Sequence, residues 1–345
     1  MVPEPALVER FGQALDGLIL PDSRIGVAVS GGPDSLALLL LTASARPGYV
    51  EAATVDHGFR PESRDEAAMV AAVCERLGVP HATLTVRWDR PPEAAIQEQA
   101  RKERYRLLRF WSEERGLDAV ATAHHAGDQA ETFLMRLKRG AGVRGLAGMR
   151  PKSMMPGSAM PLIRPFLAWR RGELERICES AGVSPAADPS NRDERFERVR
   201  VRRALADSDW LDAEAVTRSA AHLAEADSAL DWAARAEWER SVRAKRDVIS
   251  FRPEGQPPEI LRRIVARALR KLATEGGPEL RGPELDRLLA TLAEGGTATL
   301  RGVLCSGGSE WRFTRAPVRT LTHFGPPRVH LALSLALLLA RMRLF

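Results

Sequence analysis

Cysteine is scarce in this chain and its few copies are dispersed. Cys74, Cys178 and Cys305 stand far apart and form no C-x-x-C, which argues against a disulfide framework and a structural zinc site and suits a reducing compartment. Long apolar runs are also lacking: the longest late stretch, residues 331–340, is well short of the ~20 residues that span a bilayer. The start of the chain carries acids and no basic segment ahead of an apolar run, so no secretory signal is expected and the expected location is cytoplasmic. The lysine of the G-x-x-x-x-G-K-[ST] phosphate loop is missing, which excludes that class of nucleotide site. Residues 321–345 contain no acid at all and read as an atypical tail.

The chain has 345 residues, 44 % of them hydrophobic, enough to bury a large core in more than one domain. Lys and Arg number 51 against 45 Asp and Glu, a net charge of +6. That excess is compatible with a polyanionic partner without requiring one.

The most informative stretch is residues 25–41. Val27 and Val29 suit a buried strand, Gly31 and Gly32 permit a tight turn, and Asp34 or Ser35 can cap the leucine-rich helix that follows. Amide groups at such a helix start lack intrahelical partners and the macrodipole is positive there, so an anion over Gly31, Gly32 and Ser35 is stabilised twice.

Further strands are expected at residues 50–55, 81–86 and 119–123, alternating with helices at 62–77 and 93–115 and with another that follows the 124–132 stretch to about residue 139. This alternation predicts an α/β class fold with a parallel sheet flanked by helices. Polar clusters at 30–35, 56–60 and 124–131 each follow a strand, so all three gather at the sheet edge where ligands bind in such folds. A first domain is expected over 1–215. A smaller, mostly helical domain follows over 216–320, with long helices after Ala213 and a hairpin formed by 297–304 and 310–314.

Two features have plainer readings. Residues 140–145 satisfy G-x-G-x-x-G, but a helix precedes them and no acid follows at the right distance, so a dinucleotide site is rejected in favour of a mobile loop whose Arg139 and Arg144 meet phosphate. Asp128 and Glu131 have the spacing of a helix-capping pair. The adjoining His124 and His125, on the sheet edge that carries the glycine turn, favour a functional reading, although the sequence leaves open which of them faces inward.

The Ser-Gly-Gly-Pro-Asp-Ser turn at 30–35 resembles the PP-loop of the N-type ATP pyrophosphatases, with their adenine nucleotide alpha hydrolase-like fold. Five more stretches occur in order: Val-Asp-His-Gly-Phe-Arg at 55–60, Ala-Arg-Lys-Glu-Arg-Tyr at 100–105, Ala-His-His-Ala-Gly-Asp-Gln-Ala-Glu-Thr at 123–132, Arg-Gly-Leu-Ala-Gly-Met at 144–149 and Asp-Pro-Ser-Asn at 188–191. Together they resemble the tRNA(Ile)-lysidine synthetases over residues 24–203 and, more weakly, beyond.

The resemblance implies ATP and Mg²⁺ as cofactors, with L-lysine and tRNA(Ile) bearing a CAU anticodon as substrates. ATP would adenylate oxygen 2 of the wobble cytidine, and the lysine amine would then attack carbon 2 and expel AMP. It implies an ATP site at Ser30, Gly31, Gly32, Pro33, Asp34 and Ser35, with Asp34, Arg104, His124, Asp128 and Glu131 as catalytic residues. Asp34 and Glu131 would hold the metal, since hard cations prefer carboxylate oxygen. Arg139, Arg144, Arg198, Arg200 and Arg202 would meet tRNA. In the Arg-Val-Arg-Val-Arg stretch at 198–202, Val199 replaces the family's usual asparagine, and Gly127 stands where relatives carry a longer polar residue. Two other readings are a tRNA thiolase, disfavoured because no cysteine lies in a motif loop, and a tRNA- or nucleotide-binding protein without catalysis. Monomer and homodimer are both open.

Overall fold

The computed structural model describes residues 2–59, 62–88, 90, 95–186, 195–273, 280 and 282–317, and the chain divides into two compact units between Ala233 and Ala234. The first contains, in order, α1 (Pro5–Asp16), β1 (Ile25–Ala28), α2 (Pro33–Ala45), β2 (Val50–Asp56), α3 (Glu62–Leu77), β3 (His81–Thr85), α4 (Ile96–Glu114), β4 (Ala119–Ala121), α5 (Ala126–Leu137), α6 (Val143–Leu146), β5 (Lys152–Met154), β6 (Pro161–Ile163), α7 (Arg171–Ser180), α8 (Glu197–Ala206) and most of α9 (Ala213–Ser241). The start expected for α4 and the Asp-Pro-Ser-Asn stretch at 188–191 lie outside the described residues, as does the 321–345 tail.

The six strands lie in the order β3-β2-β1-β4-β6-β5. β1 pairs in parallel with β2 on one side and β4 on the other, and only β5 runs antiparallel, against β6. The chain steps outward from β1 to β3, then returns to place β4 on β1's free side. Where strand order reverses in this way, the loops beyond the two strands part and leave a crevice at their carboxyl ends. The reversal falls between the strand before the glycine turn and the strand before the histidine pair.

α2, which begins at that crevice, is enclosed by the core. Its residues 35–42 are all buried, because the leucine run is apolar all round, as a helix enclosed on every side must be. It shares a core with Ile25 and Val27 of the sheet, Phe11 and Leu15 of α1, and Leu174 and Ile177 of α7.

The first unit extends past the expected limit at residue 215. Thr217 of α9 donates its hydroxyl to the Ala126 carbonyl at 3.0 Å, and the buried Asp227 binds Arg150. Two-thirds of this helix is thereby anchored to the first unit, which a local helical pattern cannot reveal.

The second unit holds more sheet than the sequence suggested. β7 (Val242–Lys245), β8 (Val248–Phe251), β9 (Thr297–Leu300), β10 (Val303–Ser306) and β11 (Trp311–Arg315) form an antiparallel sheet in the order β7-β8-β11-β10-β9, with α10 (Pro258–Leu272) and α11 (Gly282–Ala293). The expected strand at 297–304 is itself a hairpin that turns at Arg301 and Gly302, both with positive φ. Val303, Cys305, Trp311 and Phe313 point inward by alternation, and α10 buries Ile260, Ile264, Ala268 and Leu269. Among the described residues no helix is long and apolar enough to cross a membrane.

Candidate active site

The glycine turn is assembled by local hydrogen bonds. Ser35 Oγ accepts the Ser30 N–H at 3.1 Å and donates to the Gly32 carbonyl at 3.0 Å, closing the turn over the first residues of α2. Gly31 is buried with φ +86°, and a Cβ there would press on Met69 at 3.3 Å, so only glycine fits. The carbonyl of Gly31 accepts the Ala186 N–H at 3.0 Å. No side chain caps the start of α2, which leaves its amide groups to a bound anion.

α5 starts differently. His125 is its N-cap: Nδ1 accepts the Gly127 N–H at 2.9 Å, and the His125 N–H donates to Asp128 Oδ2 at 3.1 Å. The capping pair expected at Asp128 and Glu131 is thus displaced by three residues: His125 is the cap and Asp128 its partner at the third helical position, while Glu131 takes no part in the cap. Because Nδ1 accepts, the proton of the neutral ring belongs on Nε2, which faces Asp34 Oδ2 at 3.8 Å and Asp128 Oδ2 at 3.6 Å.

These groups line one cleft of about 380 Å³, with Ser30, Gly32, Pro33, Asp34 and Ser35 on one side, His124, His125 and Asp128 on another, and Arg101, Arg104, Arg171, Arg198 and Arg202 around them. Val55 and Tyr105 also line it, Tyr105 being part of the core. A second cavity of about 570 Å³ shares His125, Arg171 and Arg202 with the first and adds Glu131, Asp209, Trp210 and Asp212.

The electrostatics separate the acids. Burial raises the pKa of Asp34, and His125 and Arg171 offset only part of that; its Oδ1 is buried with no hydrogen-bond partner. Burial would also raise Asp128, but His125, Arg198 and His124 prevail and lower it. Burial holds His124 at about 4, against the pull of Asp128 and with help from Arg164 and Arg198; its Nδ1 lies 3.0 Å from the Thr122 hydroxyl. Arg104 reaches solvent through the cleft, yet the surrounding walls lower its pKa.

Glu131 stands where a metal ligand was expected but has another occupation. It is 2 % exposed, and its two oxygens receive Arg202 Nε at 2.5 Å and Arg198 Nε at 2.6 Å. Arg198 also reaches Asp128 Oδ1 at 3.3 Å. Burial alone would lower the pKa of Arg202, but Glu131 raises it. Two arginines expected on RNA are thus fixed to α5 and edge the cleft. Among the described residues no group of three or more His, Cys, Asp or Glu side chains is arranged to hold a metal ion.

The remaining arginines lie elsewhere. Arg200 is exposed and donates to the Arg195 carbonyl at 3.0 Å. Arg139 pairs with Glu197 at 2.5 Å, and Arg144 grips Asp231 through both oxygens, at 2.6 and 2.7 Å. The loop expected to be mobile is pinned: Gln129 receives the Met149 N–H at 2.7 Å and donates to the Met149 carbonyl at 2.9 Å, and Arg136 holds the Gly145 and Gly148 carbonyls. Both His124 and His125 line the cleft, and Arg101 and Arg171 join the site without having been singled out. His125 was legible as one of a pair, whereas no spacing signal marked Arg101 or Arg171.

Comparison with known proteins agrees with this geometry. A model of the PP-loop domain family matches residues 3–208. The tRNA(Ile)-lysidine synthase of Novosphingobium aromaticivorans is 50 % identical over 312 residues, covering 88 % of this chain and 91 % of that protein. The tRNA(Ile)-lysidine synthase of Zymomonas mobilis is 41 % identical over 324 residues, covering 92 % and 96 %. Among solved structures, the U34-tRNA thiolase NcsA from Methanococcus maripaludis shares the fold, with a TM-score of 0.53 and 16 % identity over 64 % of this chain and 78 % of that one.

Proposed function

Because the chain belongs to the PP-loop tRNA(Ile)-lysidine synthases, we propose that it joins L-lysine to carbon 2 of the wobble cytidine of tRNA(Ile) with a CAU anticodon, consuming ATP and releasing AMP and pyrophosphate. The observation that carries this reading is the meeting of the uncapped α2 N-terminus, Asp34, His125, Asp128 and a ring of arginines in one cleft. Amide groups at the turn would take the pyrophosphate, and Arg104, Arg198 and Arg202 would balance the charge that builds on the α phosphate. Glu131 sets Arg198 and Arg202 in place beforehand, so little reorganisation accompanies the reaction.

Asp34 fits a cation: its Oδ1 is buried and unpartnered, and a hard ion would supply the missing partner. Glu131 does not fit without losing two guanidinium groups, so Mg²⁺ is assigned to Asp34 alone. A bound Mg²⁺ would offset phosphate charge and favour departure of pyrophosphate.

His124 is neutral at pH 7, with a ring that can hydrogen-bond the cytosine edge. A pKa near 4 makes it a weak proton acceptor, so its assigned part is to hold the base more than to deprotonate the amine. The second cavity suits a free amino acid, with Arg171 and Arg202 for a carboxylate and Asp209 and Asp212 for an ammonium group; its shared wall at His125 leads toward the first cleft. The tRNA is assigned to exposed cations, Arg200 among them, and its body to the second unit, mainly through phosphate, so affinity should fall steeply with salt.

The thiolase reading loses support. Cys74, Cys178 and Cys305 are all buried, with thiols pushed up to about 12 by burial, and none lines the cleft. The test is incubation with tRNA(Ile), ATP and labelled lysine. Lysine incorporation with matching AMP and pyrophosphate release is expected; tRNA binding without incorporation would sink the proposal.

A further inference from the structure

The segment after β2 forms a feature that the cleft chemistry leaves unused. Asp56, buried at the strand's end, accepts the Gly58 N–H at 2.8 Å, and Gly58 turns the chain with φ +67°. Phe59 then stacks on His57, with centroids 5.9 Å and planes 10° apart, and on Trp88, at 5.3 Å and 20°. The Trp88 indole N–H donates to the His57 carbonyl at 2.8 Å. Two loops that follow neighbouring parallel strands are thereby tied into one aromatic stack. Despite this fixing, Phe59 is 42 % exposed, and both His57 ring nitrogens are buried with no partner among the described residues.

Position and charge indicate what covers the stack. β2 contributes Val55 to the cleft, but none of the three rings lines it, so a group stacked here sits beside the cleft's contents. Arg104, which does line the cleft, is close enough to act with burial in holding His57 at about 4. Among the described residues Arg104 pairs with no carboxylate. A rigid aromatic edge next to an unneutralised guanidinium matches single-stranded RNA, whose bases stack on rings while phosphates meet cations.

We propose that Phe59, braced by His57 and Trp88, is a stacking platform for the nucleobase adjacent to the one inserted in the cleft. The proposal rests on the tRNA reading above. It gives the protein a hold on the splayed loop through rings that lie outside the ATP cleft.

Phe59→Leu removes the ring but keeps apolar bulk, and Phe59→Trp keeps a ring. Each protein is titrated with tRNA(Ile) and with two CAU anticodon stem-loops that carry a fluorescent base analogue on one or the other side of the target cytidine. F59L is expected to weaken RNA binding on the order of tenfold and to abolish the quenching of one analogue, with ATP binding unchanged. F59W is expected to restore both. An F59L protein that binds and quenches like the parent overturns the platform and leaves the synthase reading intact. A parent protein that does not bind tRNA(Ile) overturns the synthase reading, and the platform with it.

Discussion

His125 Nε2 stands 3.8 Å from Asp34 Oδ2, so the cap of α5 touches the first turn of α2. Two helix N-termini, each with a positive dipole end, converge on one acid whose other oxygen is free. Asp34→Ala is therefore expected to abolish adenylation, read as pyrophosphate release, while tRNA affinity changes little. Strong loss of tRNA binding in this variant would contradict the assignment of Asp34 to ATP and metal.

His125 combines a structural and a chemical duty, and substitution can divide them. His125→Ala removes the cap and is expected to cost about 1 kcal/mol in urea denaturation. His125→Asn restores a capping side chain and should recover that stability, yet it leaves Asp34 and Asp128 without their shared imidazole. Activity should stay low in both variants; full activity in the asparagine variant would reduce His125 to a cap.

Glu131→Gln removes the charge that holds Arg198 and Arg202. Losing one member of a fully buried pair costs about 3–5 kcal/mol, but both arginines are about one-third exposed, so about 2 kcal/mol is expected. The same variant should keep the parent's Mg²⁺ dependence in any residual turnover. A shifted Mg²⁺ requirement would return Glu131 to the metal.

Two histidines set an acid limit on stability. His57 and His124 are held at about 4 in the folded protein, against 6.5 in the free side chain. Between those values the unfolded chain binds protons that the folded chain does not, so stability rises with pH across that window. Their contribution is complete above about pH 6.5 and is lost progressively as the pH falls toward 4. Urea midpoints should drop between pH 7 and pH 5, and a His57→Asn, His124→Gln protein should show a smaller drop.

Gly148 has φ +67°, and a Cβ there would lie 2.5 Å from Gln129 Oε1. Gly148→Ala must therefore displace the carboxamide that holds Met149, at an expected cost of about 1–3 kcal/mol. Hydrogen exchange should accelerate in residues 139–150, while exchange in the second unit's sheet stays unchanged.

The sequence alone determined the parts that depend on neighbours in the chain. The strand, glycine turn and helix at 25–45, the helix that starts beside the histidine pair, and the alternation that implies a parallel sheet are all short-range patterns with short-range causes. They were enough to place the polar clusters at one sheet edge. Tertiary structure decided what those side chains meet. Arg198 and Arg202 stand 67 and 71 positions from Glu131, and no local period carries information across that distance, so a carboxylate that looked free for metal proved to be an anchor. Arg144 likewise found Asp231, 87 positions away, and a glycine-rich loop that looked mobile became fixed. The two histidines differ for the same reason: adjacent in sequence, they are separated by backbone direction, His125 turning to cap α5 and reach Asp34 while His124 meets Thr122. Chemistry could be inferred from residue types, but its division of labour required knowing which charges are neutralised within the fold.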